Sequence, residues 1–476
     1  MDATSRDFPA NAVRALGDAT LGRALEKLQR EFRRDRAAML ARMPEFEALR
    51  DAARDIRAAA LDDLPALLER FEDNVTARGG QVHWCADAAE ARAAILALCR
   101  AAGAQSVVKG KSMISEEIGL NDHLEANGVV PVETDLGEYI LQLRRETPSH
   151  VVMPAIHLNV TQIGDGFRDA HTDRDPHRAL DADAILAEAR DHLRDRFVTA
   201  QVGITGANML IAETGSIVLV TNEGNGDLVH TLAPVHIVVA SIEKVVPTVA
   251  DALTLVRVLA RSATTQEITS YTSIVTGPKR PGDADGPGAF HVVLLDNGRS
   301  RLLGGPFRDI LRCIRCGACQ SLCPVYGAVG GHAYGWVYAG PVGAVLTPAL
   351  TGIEEARHLP AASTLCGQCE AVCPVRIPLP ALLRRWREEA FARALSTATE
   401  RRLIRLWAQV AARPLVYRPL LRLAVAALTL AARLAGGGGR FRTLPFAGGW
   451  TGARDFPAPQ GGTFVERWHA ARGRGP

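Results

Sequence analysis

Seven of the nine cysteines in this chain fall in two arrays. Cys313, Cys316, Cys319 and Cys323 form a C-x2-C-x2-C-x3-C run that ends on Pro324, and Cys366, Cys369 and Cys373 form a second run that ends on Pro374. Cysteines three apart on a tight turn can offer three thiolates to one iron–sulfur cube, and the longer last step carries the fourth sulfur to another cube. The proline that follows keeps the chain from continuing as a helix. This crossed pattern implies one cluster on Cys313, Cys316, Cys319 and Cys373. A second would take Cys323, Cys366 and Cys369, one ligand short, because Ser363 stands where a regular array has a cysteine. That second site therefore uses a non-cysteine ligand or water, is a 3Fe-4S rather than a 4Fe-4S centre, or borrows a residue from a partner subunit. Disulfides are disfavoured because nothing marks the chain as secreted. Zinc needs four ligands on C-x2-C pairs and leaves both Cys-Pro ends unexplained. Cys85 and Cys99 stand alone in apolar surroundings and read as small buried hydrophobes.

Other candidates lie upstream. Lys109 and Lys111, with Gly110 and Ser112, follow a strand and precede a helix, a place that suits a carboxylate or phosphate. The segment lacks the glycine spacing of a P-loop, so nucleoside triphosphate binding is not expected. Asp135 reads as a helix cap with Glu138 closing the box. Glu213 sits beside Gly215 between two apolar runs, where a tight turn or the close approach of a ligand fits the glycine. His157 and His236 are single histidines near strand ends and read as structural. GITGAN (203–208) is too glycine-poor for a dinucleotide loop, so no flavin or nicotinamide fingerprint appears.

The elements that position these residues alternate. QVHWC (81–85), SVVKG (106–110), VVPVET (129–134) and HVVMPAI (150–156) are strand-like, and residues 88–103 and 113–127 between them have helical pattern. That rhythm argues for an α/β fold with a mostly parallel sheet covered on both faces. Strands dominate again over 209–224 and 234–246, and 290–298 looks like the last. Residues 327–348, between the cysteine arrays, are too glycine-rich for a conventional core.

At 476 residues the chain has room for two or three domains, and a formal net charge of +3 demands no polyanion. Basic and acidic residues are interspersed, which is no nucleic-acid footprint. The N-terminus lacks a basic, apolar leader, so a reducing cytoplasm is expected. The apolar run 423–432, bounded by Arg422 and Arg433, is too short to span a bilayer. It reads as a buried helix, with a surface-lying helix reaching to lipid head groups as the sharper alternative. GGGG (436–439) marks a hinge before a Pro/Gly-rich, weakly ordered end.

Nearly the whole chain resembles the lactate-utilization iron–sulfur protein B family. KGKSMISEEIGLN (109–121), ETDLGEYILQL (133–143), PSHVVMPAIH (148–157), GITGANMLIAETGSIVLVTNEGN (203–225), HIVVASIEKVVP (236–247) and both cysteine arrays carry the likeness. The resemblance implies an N-terminal helical segment (1–66) and a LUD domain (67–300) similar to sugar-phosphate isomerase and CoA-transferase folds. A ferredoxin-type 4Fe-4S domain (301–385) and a C-terminal helical region (386–476) would follow. It further implies oxidation of L-lactate to pyruvate with two partners, a cysteine-rich heterodisulfide-reductase-like subunit and a second LUD protein. No hydride acceptor is visible, which favours a division of labour with this subunit carrying electrons. The LUD half would bind a small anionic metabolite such as lactate or pyruvate, and any membrane contact would be peripheral, on the inner face. Two rival functions are a CoA- or acyl-transferase acting through Glu213 and a cluster-based redox sensor.

Overall fold

The computed structural model describes residues 3–434, 439–444, 451 and 455–473. Most of the apolar runs pair as expected, but HVVMPAI (150–156) is not a strand: it runs through bends and turns between helices Leu136–Arg144 and Val160–Ala170. Strands β1 (Gln81–Cys85), β2 (Ser106–Lys109), β3 (Val130–Glu133), β4 (Val202–Thr205), β7 (Val235–Ser241) and β10 (Ala289–Leu295) form one all-parallel sheet in the order β1-β10-β7-β4-β2-β3. Both faces are covered, which is why these strands read as unbroken apolar runs. Ile237 and Val239 of β7 pack toward Ile95 and Cys99 of helix Ala88–Ala101. Val238 and Ala240 face the other way, onto Leu67 and Phe71 of helix Leu64–Ala77. Cys85 and Cys99 are buried in the first of these cores as packing residues.

A second sheet, ordered β8-β5-β6-β9, holds β5 (Met209–Ile211), β6 (Ser216–Thr221), β8 (Val245–Val246) and β9 (Tyr271–Val275). Strand β9 had no signal in the sequence pattern. The β5–β6 turn needs Gly215 because a Cβ there would lie 2.5 Å from the backbone nitrogen of Val75. The close approach is by a helix, not a ligand.

Four further expectations need correction. Residues 113–127 are two helices, Met113–Glu117 and Leu120–Ala126, separated by Gly119 in a left-handed conformation (φ 62°). Asp135 does cap helix Leu136–Arg144, accepting from the backbone N–H groups of Gly137 and Glu138, but Glu138 is buried and does not close the box. The glycine-rich stretch between the arrays is core. Helix Gly340–Thr351 is buried along most of its length, and a Cβ on Gly331 would lie 1.7 Å from the carbonyl oxygen of Ser149. Small residues here permit close packing rather than looseness. Finally, helix Pro414–Leu434 buries no residue: its neighbours within the unit leave Leu415, Leu423, Leu430 and Leu434 exposed.

Two compact units divide the chain, Met1–Ala390 and Phe391–Pro476. Within the first, a buried ionic network ties sheet to cysteine loops. Arg299 pairs with Glu117 at 2.6 Å and Glu243 at 3.1 Å, and the Tyr338 hydroxyl donates to Glu117 at 2.6 Å. Removing one member would strand a buried charge at a cost of about 3–5 kcal/mol. The second unit contains helices Ala398–Ala411, Pro414–Leu434 and Phe464–Arg472. Of the glycine run expected to hinge, residues 436–438 lie outside the described residues, as do 445–450, 452–454 and 474–476 of the end expected to be weakly ordered.

Candidate metal centre

Each cysteine array wraps a short turn around its sulfurs. In the first, Cys316 sits between Arg315 (φ 59°) and Gly317 (φ 72°); in the second, Cys366 sits between Leu365 (φ 52°) and Gly367 (φ 83°). Two left-handed residues flanking one cysteine are costly for Arg and Leu, and such strain collects where side chains must converge. A short helix follows each turn, Ala318–Ser321 and Gln368–Val372. The equivalence extends to the position before. The Arg315 N–H donates to Cys313 Sγ at 3.4 Å, and the Leu365 N–H donates to Ser363 Oγ at 3.1 Å. Ser363 thus repeats the local geometry of Cys313 with oxygen in place of sulfur.

The thiols fall into two neighbourhoods that cross the arrays. Cys313, Cys316, Cys319 and Cys373 line one small enclosed cavity walled by Val151, Val342 and Ile377. Burial pushes the Cys316 and Cys319 thiols up, and Cys373 and Cys313 push each further. Burial likewise pushes Cys373 up to about 11. The other neighbourhood joins Cys323, Cys366 and Cys369: burial and then Cys323 raise Cys369 to about 12, and burial and Cys366 raise Cys323. Cys319 also feels Cys369, so the two sets adjoin. Cys366 is exposed. Four soft sulfurs on one apolar cavity suit iron–sulfur ligation.

Positive charge is supplied from elsewhere in the chain. Arg50 donates to the carbonyls of Cys373 (2.8 Å) and Ala371 (2.8 Å), and Arg57 to those of Leu311 (2.9 Å) and Arg312 (3.3 Å). Both lie on the buried face of helix Phe46–Asp62. Arg36, from helix Ala19–Arg42, is buried, is drawn toward Cys316 electrostatically, and among the described residues leaves Nη1 without a hydrogen-bond partner. Gln29 donates to the Cys323 carbonyl at 2.7 Å. Buried guanidiniums beside thiols are complementary to an anionic cluster. Sequence reading passed over these arginines; the signal was Arg50 and Arg57, seven apart on an otherwise apolar helix face.

The upstream candidates separate. Lys109 is fully buried and paired with Glu133 at 2.7 Å and Glu116 at 3.3 Å, so it is neutralised inside the sheet edge. Lys111 instead lines a cleft of ≈ 370 Å³ at the carboxyl ends of β2, β4 and β7, together with Glu223, Lys244 and Arg315. Glu213 is outside that cleft. It is exposed on the β5–β6 turn, where its Oε2 accepts from the Val249 N–H at 2.9 Å. The Glu213 and Lys109 candidates are therefore not brought together with Lys111. His236 is structural, bonded to Thr205 at 2.8 Å and pushed down to about 3 by burial, and His157 bonds Glu146 at 2.7 Å.

Comparisons with known proteins agree with this layout. The LUD domain family model matches residues 68–295 and the 4Fe-4S dicluster domain model matches residues 309–377. Lactate utilization protein B of Lysinibacillus sphaericus is 40% identical over 100% of this chain and 99% of its own length. The Bacillus subtilis protein of that name is 41% identical over 94% of this chain and 93% of its own. An Escherichia coli relative named uncharacterized electron transport protein YkgF is 39% identical over 97% and 96%. A solved DUF162 family protein from Deinococcus radiodurans aligns with 49% of the chain and 98% of its own at 17% identity and TM-score 0.26, too loosely to bear on the fold. With a LUD domain followed by an iron–sulfur dicluster domain, and with these relatives matching almost end to end, the chain belongs to the lactate utilization protein B family.

Proposed function

We propose that the protein is the electron-carrying iron–sulfur subunit of a multi-subunit system that oxidises L-lactate to pyruvate. The observation that carries this is the crossing of the thiols into two adjoining sets, Cys313, Cys316, Cys319 and Cys373 against Cys323, Cys366 and Cys369. The first set would hold a 4Fe-4S cluster. The second would hold another, with Ser363 Oγ at the corner that Cys313 occupies in the first. Such clusters supply one-electron uptake and release. The chain's part is to exclude water from the first set, to place arginines around it and to leave Cys366 at the surface. The names of the relatives support lactate as the fuel and electron transport as the role.

The partners we propose are a cysteine-rich heterodisulfide-reductase-like subunit and a second LUD protein, with this chain in the cytoplasm and its C-terminal helices touching the inner membrane face peripherally. Glu213 is exposed and outside the cleft, which favours the electron-carrier reading over the transferase alternative.

Iron analysis and EPR of anaerobically purified protein test the reading. About eight irons per chain are expected, and fewer than about four contradict even one full cubane. Cys316→Ser should abolish one signal, whereas Cys85→Ser should leave both. In the complex recovered under argon with its cysteine-rich partner, lactate should bleach the clusters rapidly and reversibly. An unbleached complex would defeat the electron-carrier role and favour a sensor.

A further inference from the structure

The ≈ 370 Å³ cleft at the carboxyl ends of β2, β4 and β7 is of small-ligand size and lies where open parallel sheets receive ligands. Its wall carries two ammonium groups, Lys111 and Lys244, together with the carboxyl groups of Asp135 and Glu223. Lys111 Nζ donates to the Val152 carbonyl at 2.7 Å and Lys244 Nζ to the Ala207 carbonyl. Among the described residues, neither has a carboxylate within ion-pair distance, in contrast to Lys109 with its two glutamates. Burial, opposed by Glu243 and reinforced by Arg315, Arg299 and Arg57, pushes Lys244 down to about 8. Two ammonium groups on one wall, neither closed into an ion pair, leave room for an anion from solution.

The remaining polar groups narrow the class. Glu223 lines the same wall, accepts from the Leu136 N–H at 3.0 Å and is held above the usual carboxylate range by burial and Asp135. Its carboxyl oxygens can accept from a hydroxyl. Asn208 accepts the Val220 N–H through Oδ1 at 3.0 Å, which leaves its amide N–H groups for the cleft. Arg315 and Val151 line both this cleft and the cavity around Cys313, Cys316, Cys319 and Cys373. A ligand here is one side chain away from the first thiol set.

We propose that this cleft binds a small monocarboxylate with a hydroxyl or keto oxygen at carbon 2, its carboxylate between Lys111 and Lys244 and its second oxygen toward Glu223 and Asn208. The choice of lactate and pyruvate as probes rests on the function proposed above; the anion site does not.

The test is anaerobic calorimetry on the cluster-loaded full chain, with L-lactate, pyruvate and inorganic phosphate titrated separately. One or both carboxylates should bind more tightly than phosphate. Lys111→Gln and Lys244→Gln should each weaken that binding about tenfold or more, with iron content and EPR spectrum unchanged. Lys244→Arg should restore most of it, and Glu213→Gln should change nothing. The proposal is overturned if no carboxylate binds to fully loaded protein, if phosphate binds best, or if the Lys111→Gln, Lys244→Gln double variant binds as the parent does. Protein that binds the carboxylate but holds no iron would instead sink the electron-carrier reading and leave the cleft standing.

Discussion

Ser363 is the residue at which the two cysteine arrays part company. Its hydroxyl receives the Leu365 N–H as Cys313 Sγ receives the Arg315 N–H, in each case two residues before the first of a pair of left-handed residues. Seen from the sequence, Ser363 is only a gap in a pattern; the repeated hydrogen bond puts a hydroxyl at the place equivalent to Cys313. An oxygen ligand binds iron more weakly than a thiolate in a soft sulfur site, so this corner should be the labile one. Ser363→Ala should fold normally, since substitutions at such partly exposed places usually change stability by no more than about 0.5 kcal/mol. It should lose about one iron per chain and convert the second centre's EPR signal to the three-iron type, with the first centre untouched. Ser363→Cys should keep the full iron count. An alanine variant with parental iron and spectrum would show that the corner belongs to water or to another subunit.

Among the elements, the segment between the arrays carries the sharpest test. The glycines of 327–348 let backbone meet backbone: Cβ atoms on Gly331 and Gly343 would lie 1.7 Å from the Ser149 carbonyl oxygen and 2.0 Å from that of Tyr338. Gly331→Ala must push a loop of the LUD half away from the cysteine region, at about 1–3 kcal/mol. It should lower the thermal midpoint and speed iron loss to a chelator. Gly304→Ala, with open space around its Cβ, should do neither; equal effects from both would refute the packing account. The same segment shows what a sequence hides. Parallel strands and cysteine loops were legible because each is dictated locally, by apolar runs and by ligand spacing. The glycine core was not, because the atom that forbids a side chain at 331 belongs to residue 149. Nor was the split between Lys109 and Lys111, two residues apart, since it depends on Glu116 and Glu133 closing around one and not the other. Lys244 and Arg315 join the cleft from distant stretches, and only the end of β7 hinted at the former.

Across the whole molecule, the first unit puts its charges inside, around sulfur, whereas the second leaves its apolar surface outside. Helices Ala398–Ala411 and Pro414–Leu434 bury nothing, and Leu406, Trp407, Leu415, Leu423 and Leu434 are exposed. By length and composition Pro414–Leu434 could cross a membrane. Arg418, Arg422 and an internal Pro419 make that costly, because arginine within the hydrocarbon core is penalised by about 3 kcal/mol or more. A helix lying in the head-group plane instead buries its leucines while its arginines meet anionic lipid. The two helices carry seven arginines, counting Arg413 between them, against the single acid Glu400, a balance that suits a negative surface. The full chain should therefore sediment with vesicles containing phosphatidylglycerol and not with neutral phosphatidylcholine. Binding should weaken at high salt as screening sets in. Leu406→Glu and Leu423→Glu should each reduce it several-fold without altering iron content, and Trp407 fluorescence should shift to the blue on binding. Equal sedimentation with neutral vesicles, or glutamate variants that bind unchanged, would mean that these exposed leucines await a protein partner.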